Sequence, residues 1–269
     1  FRQRFGNYFP QQCPFEFGDL TVEDLLNTLR RMKSRSATGA CGWRVAELKR
    51  LPRELLERLC QLFQHIEATG IWPEALLHGL ITMVPKEGGG LGPTDLRPIT
   101  VMSSIYRLWS GSRVAQVLQW QELWISKHLV GFRQELGCED AFWVTALKVE
   151  KALLEGEELS GLSLDFQKAF DRVPHEHVFE LARAAGLPHH IVNALASCYK
   201  NLNRHFKVGA FIGEGFKSTN GILQGCALSV VLLNLLMHVW AEGVAAECPG
   251  ACPTCYADDA STVSKHTHE

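Results

Sequence analysis

Residues 161–171 read Gly-Leu-Ser-Leu-Asp-Phe-Gln-Lys-Ala-Phe-Asp, and this run constrains the fold more than any other part of the chain. Leu162, Leu164 and Phe166 alternate, so in a strand they share one buried face while Ser163 and Asp165 point to the other. The first third of the chain, by contrast, has helical period. Thr21 and Asp24 stand in capping-box spacing around Val22, Leu25, Leu26, Leu29 and Met32. Pro52 and Gly70 bracket a second helix, with Leu55, Leu56, Leu59, Leu62, Phe63 and Ile66 as its apolar stripe. Two extended runs, 80–86 and 96–102, flank a loop with Gly88, Gly89, Gly90 and Gly92, which predicts a mobile hairpin. No Gly-Lys-Ser/Thr ends that loop, so it is not a P-loop. Further helices are expected over most of 104–159, with a break near Gly131, then from Pro174 to Gly186, at about 189–200 and at about 227–246. A hairpin is expected at 205–218 and a strand–turn–strand at 254–263. The pattern is α/β (α+β), in one large domain or two intimately joined ones.

The charge balance is uneven. The formal net charge of the 269 residues is −2, yet residues 1–113 carry 15 basic and 11 acidic side chains while 114–269 carry 12 and 18. Within 30–58 nine basic residues (Arg30, Arg31, Lys33, Arg35, Arg44, Lys49, Arg50, Arg53, Arg58) face three acidic ones. A basic front half suits a polyanion and an acidic back half suits a divalent cation, although solvated helix faces explain such charges equally well. Trp43 is either a base-stacking ring or a core anchor. At 46% apolar the chain is not disordered. Its longest apolar stretch, 227–241, is interrupted by Asn234 and His238 and is too short and polar to span a bilayer, so no membrane partner is expected. Nine cysteines without framework spacing fit a reducing compartment, nucleus or cytoplasm, and no targeting signal is seen. Cys248, Cys252 and Cys255, with His238 or His266, make a weak zinc pattern, set aside because Cys255 begins a strand. His266 and His268 read as solvated.

Three carboxylates remain. Asp165 ends the strand, and Asp258 and Asp259 sit between two short β-prone runs, at a hairpin tip. Carboxylates on adjacent strand ends can hold divalent ions, and Mg2+ favours such sparse ligation completed by water and phosphates. A plain turn and a helix cap account for the same residues.

The wider wording decides between these. LSLDFQKAFDRV (162–173), GILQGCALS (221–229) and Tyr256-Ala257-Asp258-Asp259 resemble motifs A, B and C of reverse transcriptases, most closely those of non-LTR (LINE-type) retrotransposons. Upstream, 36–51, 70–89, 96–108 and 130–141 resemble the fingers segments of that branch. The resemblance implies right-hand polymerase fingers and N-terminal helices over 1–160 and a palm over 161–269, with a small antiparallel sheet backed by helices and the thumb absent. It implies RNA-directed DNA synthesis from an RNA template, a DNA primer and deoxynucleoside triphosphates, with two Mg2+ ions (Mn2+ as substitute) held by Asp165, Asp258 and Asp259. The backbone at Phe166 would then lie beside the triphosphate, Phe170 would exclude a 2′-hydroxyl, and Gln224 would sit near nucleotide and template. Lys86 and Arg97 would grip the triphosphate. Ala227 and Val230 stand where the family usually has proline. The alternatives are a non-catalytic nucleic-acid-binding remnant and a group II intron-type enzyme.

Overall fold

The computed structural model describes residues 1–265 apart from positions 87, 89, 91, 93 and 94. Helices α1 (Arg2–Phe5), α2 (Val22–Arg31), α3 (Val45–Leu48) and α4 (Arg53–Thr69) precede strands β1 (His78–Pro85) and β2 (Leu96–Val101). Helices α5 (Ser104–Gln121) and α6 (Cys138–Glu155) follow, then β3 (Ser160–Asp165), α7 (Ala169–Arg172), α8 (His175–Ala184) and α9 (His189–Asn201). The order ends with β4 (Asn203–Val208), β5 (Phe211–Ile212), α10 (Ser229–Glu247), β6 (Cys252–Tyr256) and β7 (Asp259–Ser264). The mixed helix-and-sheet class is the one the sequence pattern predicts. The glycine loop between β1 and β2 includes Gly89, which lies outside the described residues, as do His266 and His268.

The backbone packs as two compact units, each assembled from separated stretches. A hairpin unit takes Glu16–Val117 and Leu187–Ser229; a carboxylate unit takes Phe1–Phe15, Leu118–Gly186 and Val230–Glu269. The 160/161 boundary of the motif reading falls inside the second of these.

In the hairpin unit, α2 starts where its local chemistry directs. Thr21 accepts from the Asp24 amide at 3.3 Å, and Asp24 Oδ2 accepts from the Thr21 amide at 2.9 Å, satisfying donors that a helix N-terminus leaves open. Val22, Leu25 and Leu29 are buried. On α4, Leu56, Phe63 and Ile66 face the core, whereas Leu55 is 48% exposed. The sheet runs β2-β1-β4-β5. β1 and β2 are antiparallel, with Val84 opposite Arg97, but β1 and β4 are parallel, with His78 opposite Asn203. The sequence pattern did not reveal that parallel pairing, which joins segments more than a hundred residues apart. Trp72 meets Trp109 edge-on at 5.1 Å and donates to the Ala194 carbonyl at 2.8 Å. Beside them Arg113 and Glu67 form a buried two-point ion pair, Nε to Oε1 at 2.7 Å and Nη2 to Oε2 at 2.5 Å. Trp109 Nε1 also donates to Glu67 Oε1, at 2.8 Å.

The carboxylate unit is built on an antiparallel sheet in the order β3-β7-β6. Helix α8 buries Val178, Leu181 and Ala182, as its 3.6-residue pattern predicts. β3 departs from expectation. It is an edge strand, with Leu162 54% exposed and Leu164 only half-buried. Alternation reported which side chains share a face, not whether anything covers it. Helix α6 also leaves Phe142, Trp143, Leu147, Leu153 and Leu154 exposed. Helix α10 has the length and apolarity of a membrane-crossing segment, more than its 227–241 stretch suggests, but over half of it is buried inside the fold. Its polar Asn234 and His238 make hydrogen bonds within this unit.

Candidate active site

The β3-β7-β6 ladder brings the acidic residues together. Asp165 is the register partner of Asp259, and Asp259 is the partner of Tyr256, so Ala257 and Asp258 form the two-residue turn between β6 and β7. Directly opposed residues of an antiparallel pair share a face, with Cα atoms about 5 Å apart. Asp165 and Asp259 therefore stand side by side on the last rung, and Asp258 adjoins them in the turn. Asp165 and Asp259 are exposed and Asp258 is half-buried. No side chain of the three makes a hydrogen bond or ion pair among the described residues. Among those residues, no three Asp, Glu, His or Cys side chains close into a ready metal cage. Uncompensated, sparse oxygen donors of this kind fit Mg2+, which keeps several waters and takes phosphate oxygens as ligands, better than a metal that needs an all-protein cage.

Residues 128–131, which the motif reading grouped with the fingers, hold this turn from behind. The Cys255 amide donates to the His128 carbonyl and the Val130 amide to the Cys255 carbonyl, both at 2.9 Å, so the segment runs beside β6. A Cβ on Gly131 would lie 2.4 Å from the Ala257 nitrogen, so only glycine permits this approach. Asn234 Nδ2 donates to the Gly131 carbonyl at 3.1 Å and to Gln121 Oε1 at 3.0 Å. His238 Nδ1 accepts from the Ser126 amide at 3.0 Å, and burial pushes that imidazole down to about 4, keeping it neutral. Phe132 stacks on Tyr256 at 6.4 Å. Phe132 (φ 59°), Ala257 (φ 56°) and Lys168 (φ 53°), just beyond Asp165, are left-handed without being glycine. Such strain costs about 1–3 kcal/mol per residue and persists where surrounding structure enforces it. Gly131 and its supports were missed as site residues; the one available signal was the pair of polar residues, Asn234 and His238, interrupting an apolar run.

The other candidates fall into two groups. Phe166 and Phe170 are half-buried beyond β3, Phe170 on α7, and the Phe166 ring meets Trp240 of α10 edge-on at 6.3 Å. Lys86, Arg97 and Gln224 belong to the hairpin unit. Lys86 follows β1, its amide donating to the Asp95 carbonyl at 2.9 Å, and lies on the same face of the hairpin as Arg97; both are exposed. The Gln224 carbonyl accepts from the Thr100 amide at 3.0 Å, tying the 221–226 loop to β2. Two buried tyrosines pin this loop: Tyr106 Oη lies 3.1 Å from Cys226 Sγ, and Tyr199 Oη lies 2.9 Å from Ser229 Oγ while accepting from the Leu223 amide at 3.3 Å. Burial raises both phenols well above their usual range, so they stay neutral. Helix α10 begins at Ser229, so a helix starts here with Ala227 just before it and Val230 in its first turn.

Two sequence signals end here. Cys252 and Cys255, three apart on β6, point to opposite faces of the sheet, and burial pushes the Cys255 thiol up to about 12. They cannot ligate one ion together. Trp43 is 42% exposed, which removes the core-anchor reading.

Comparison with known proteins agrees with the motif reading. The sequence profile of the family described as reverse transcriptase (RNA-dependent DNA polymerase) matches residues 84–269. The chain is 25% identical over 221 residues to the Retrovirus-related Pol polyprotein from type-2 retrotransposable element R2DM of Drosophila melanogaster, covering 81% of this chain and 20% of that protein. It is 24% identical over 269 residues to the RNA-directed DNA polymerase from mobile element jockey of the same fly, covering 95% of this chain and 28% of the relative. The chain thus spans between a fifth and somewhat over a quarter of the length of these relatives. By the profile match, which covers well over half its residues and includes all three carboxylates, the chain belongs to the reverse transcriptase (RNA-dependent DNA polymerase) family.

Proposed function

We propose that this chain carries the catalytic centre of RNA-directed DNA synthesis, adding deoxynucleotides to a DNA primer on an RNA template, in the manner of a non-LTR retrotransposon enzyme. The observation that carries the reading is the register of Asp165 with Asp259 beside the Asp258 turn, where three carboxylates stand with no ion-pair partner among the described residues. In this reading Asp165 and Asp258 hold two Mg2+ ions, for which Mn2+ substitutes, and Asp259 completes the acidic cluster. When bound, the ions supply the charge stabilisation that lets a 3′-hydroxyl attack an α-phosphate and pyrophosphate depart.

The chain's own residues position the substrate. Arg97 offers a planar fork to triphosphate oxygens and Lys86 a point charge, both on a hairpin whose closure would tighten the grip. The Phe166 backbone borders the triphosphate, and Gln224, on its anchored loop, borders the nucleotide and template. The palm of this reading is the part bearing the motifs at 161–269, and the fingers the part before it.

Primer extension on an RNA template with Asp258→Ala and Asp259→Ala tests this. Synthesis is expected to fall by at least about a thousandfold, the scale of losing electrostatic stabilisation of developing charge. Undiminished synthesis in both variants would defeat the assignment. Phe170 is a steric gate, its ring occupying the space a 2′-hydroxyl needs. Phe170→Val is expected to raise the ratio of ribonucleotide to deoxynucleotide incorporation about tenfold or more, since a small steric difference decides selection on the scale of 1–3 kcal/mol. An unchanged ratio would remove that role.

A further inference from the structure

Helix α6 is turned outward over most of its length. Its inner side carries Lys148, whose Nζ is buried, and Ala152, one turn further on and also buried. At about 100° per residue, the opposite side is that of Phe142, Trp143, Leu147, Val149, Leu153 and Leu154. These six fall within less than half the circumference and all are exposed, Leu153 by 76% and Leu154 by 89%. A helix of a globular protein ordinarily buries such a stripe, whereas here the stripe meets solvent. Phe142 and Trp143 meet edge-on at 5.6 Å at one end of it. With about 150–250 Å² available from an aromatic ring and somewhat less from Leu or Val, the stripe bares on the order of 700 Å² of apolar surface. The largest apolar patch on an ordinary monomer is about 300–600 Å², while each side of a standard protein–protein interface is about 800 Å².

The order of the side chains says which partner fits. Lys148 is the midpoint of the stripe: Leu147 and Val149 stand one residue to either side of it, Trp143 and Leu153 five, and Phe142 and Leu154 six. A two-fold axis uses such a mirror pattern, since an isologous interface sets residue i against j and j against i. An unlike partner imposes no such symmetry. We infer that α6 is the surface through which two copies of this chain pair, antiparallel about a two-fold axis at Lys148. Phe142 then lies against Leu154 of the second copy, Trp143 against Leu153, and Leu147 against Val149, each contact made twice. Glu150 falls opposite Ala146, whose small side chain leaves the carboxylate a path to water. At the helix ends, Glu139 and Asp140 of one copy come level with Glu155 and Glu157 of the other. Lys265 pairs with both of the latter and supplies the cation between the two acidic ends. The inference rests neither on the carboxylate chemistry nor on nucleic-acid binding.

Sedimentation velocity of the whole chain over a concentration series tests this. The 30.1 kDa chain is expected to sediment as a dimer with a Kd of about 10 μM or below, since interfaces of this class span micromolar to picomolar affinity. Leu153→Glu and Trp143→Lys each set a charge against an apolar side chain twice in the dimer. Each is expected to weaken association at least about a hundredfold, as loss of a central anchor does. The double variant Trp143→Lys/Leu153→Glu sets the new cation against the new anion and is expected to associate at least about tenfold more tightly than either single variant. That recovery depends on the antiparallel register and not on apolarity alone. Phe211→Glu, which charges an exposed ring on β5, is expected to change Kd less than about threefold, as surface exchanges ordinarily do. All the exchanged side chains are exposed, and circular dichroism checks that each variant keeps the wild-type fold. A wild-type chain that stays monomeric, or that forms only polydisperse aggregates, would overturn the pairing. So would an equal loss in Phe211→Glu, or a double variant no better than the single ones.

Discussion

Gly131→Ala is expected to reduce primer extension at least about a hundredfold while leaving nucleic-acid binding in EDTA near wild type. The added Cβ would lie 2.4 Å from the Ala257 nitrogen, and the obstacle is backbone, which no rotamer change relieves. The turn bearing Asp258 must move, or residues 128–131 must leave β6, where His128 and Val130 each share a 2.9 Å hydrogen bond with Cys255. A displacement of about 1 Å at reacting groups costs roughly a hundredfold in rate. Steady-state primer extension measures the effect. Wild-type synthesis by Gly131→Ala would show that the turn's position does not matter.

The second large effect concerns stability. Glu67→Gln is expected to destabilise the hairpin unit by about 3–5 kcal/mol, because Arg113, fully buried, would keep its charge without a counter-ion. The amide can still accept from Trp109 Nε1, so the loss reports the charge and not the indole hydrogen bond. The double variant Glu67→Leu/Arg113→Met is expected to recover most of the loss, since a well-packed apolar pair replaces a buried ion pair at little cost. Urea unfolding followed by tryptophan fluorescence checks both. A loss below about 1 kcal/mol for Glu67→Gln would contradict a dry, tightly coupled pair.

What could be read in advance follows the range of the forces involved. The α2 capping box is settled by Thr21 and Asp24 alone, and α8 by the period of Val178, Leu181 and Ala182, so both were legible. The three carboxylates were legible as strand ends and a turn because each signal lies within a few residues. That they meet was implied only by the resemblance, and their register, Asp165 against Asp259, shows first in the ladder. Leu162 misled because alternation is a local property while cover comes from distant elements, and β3 is an edge. The β1–β4 pairing was illegible for the same reason, as nothing near His78 refers to Asn203. Gly131 sits in a plain Val-Gly-Phe sequence, and its need for glycine exists only once Ala257 arrives beside it. The Glu67–Arg113 pair was equally hidden, each being one charge among many until the core closes on both.

The most direct measurement replaces Mg2+ with Fe2+ in the presence of ascorbate and peroxide, so that bound iron cuts the neighbouring backbone, and maps the cuts along the chain. Cleavage is expected next to Asp165 and next to Asp258, with both cuts lost together in Asp165→Asn. Cleavage at one of them alone, or cuts near Asp258 that persist unchanged in Asp165→Asn, would contradict a shared cation site.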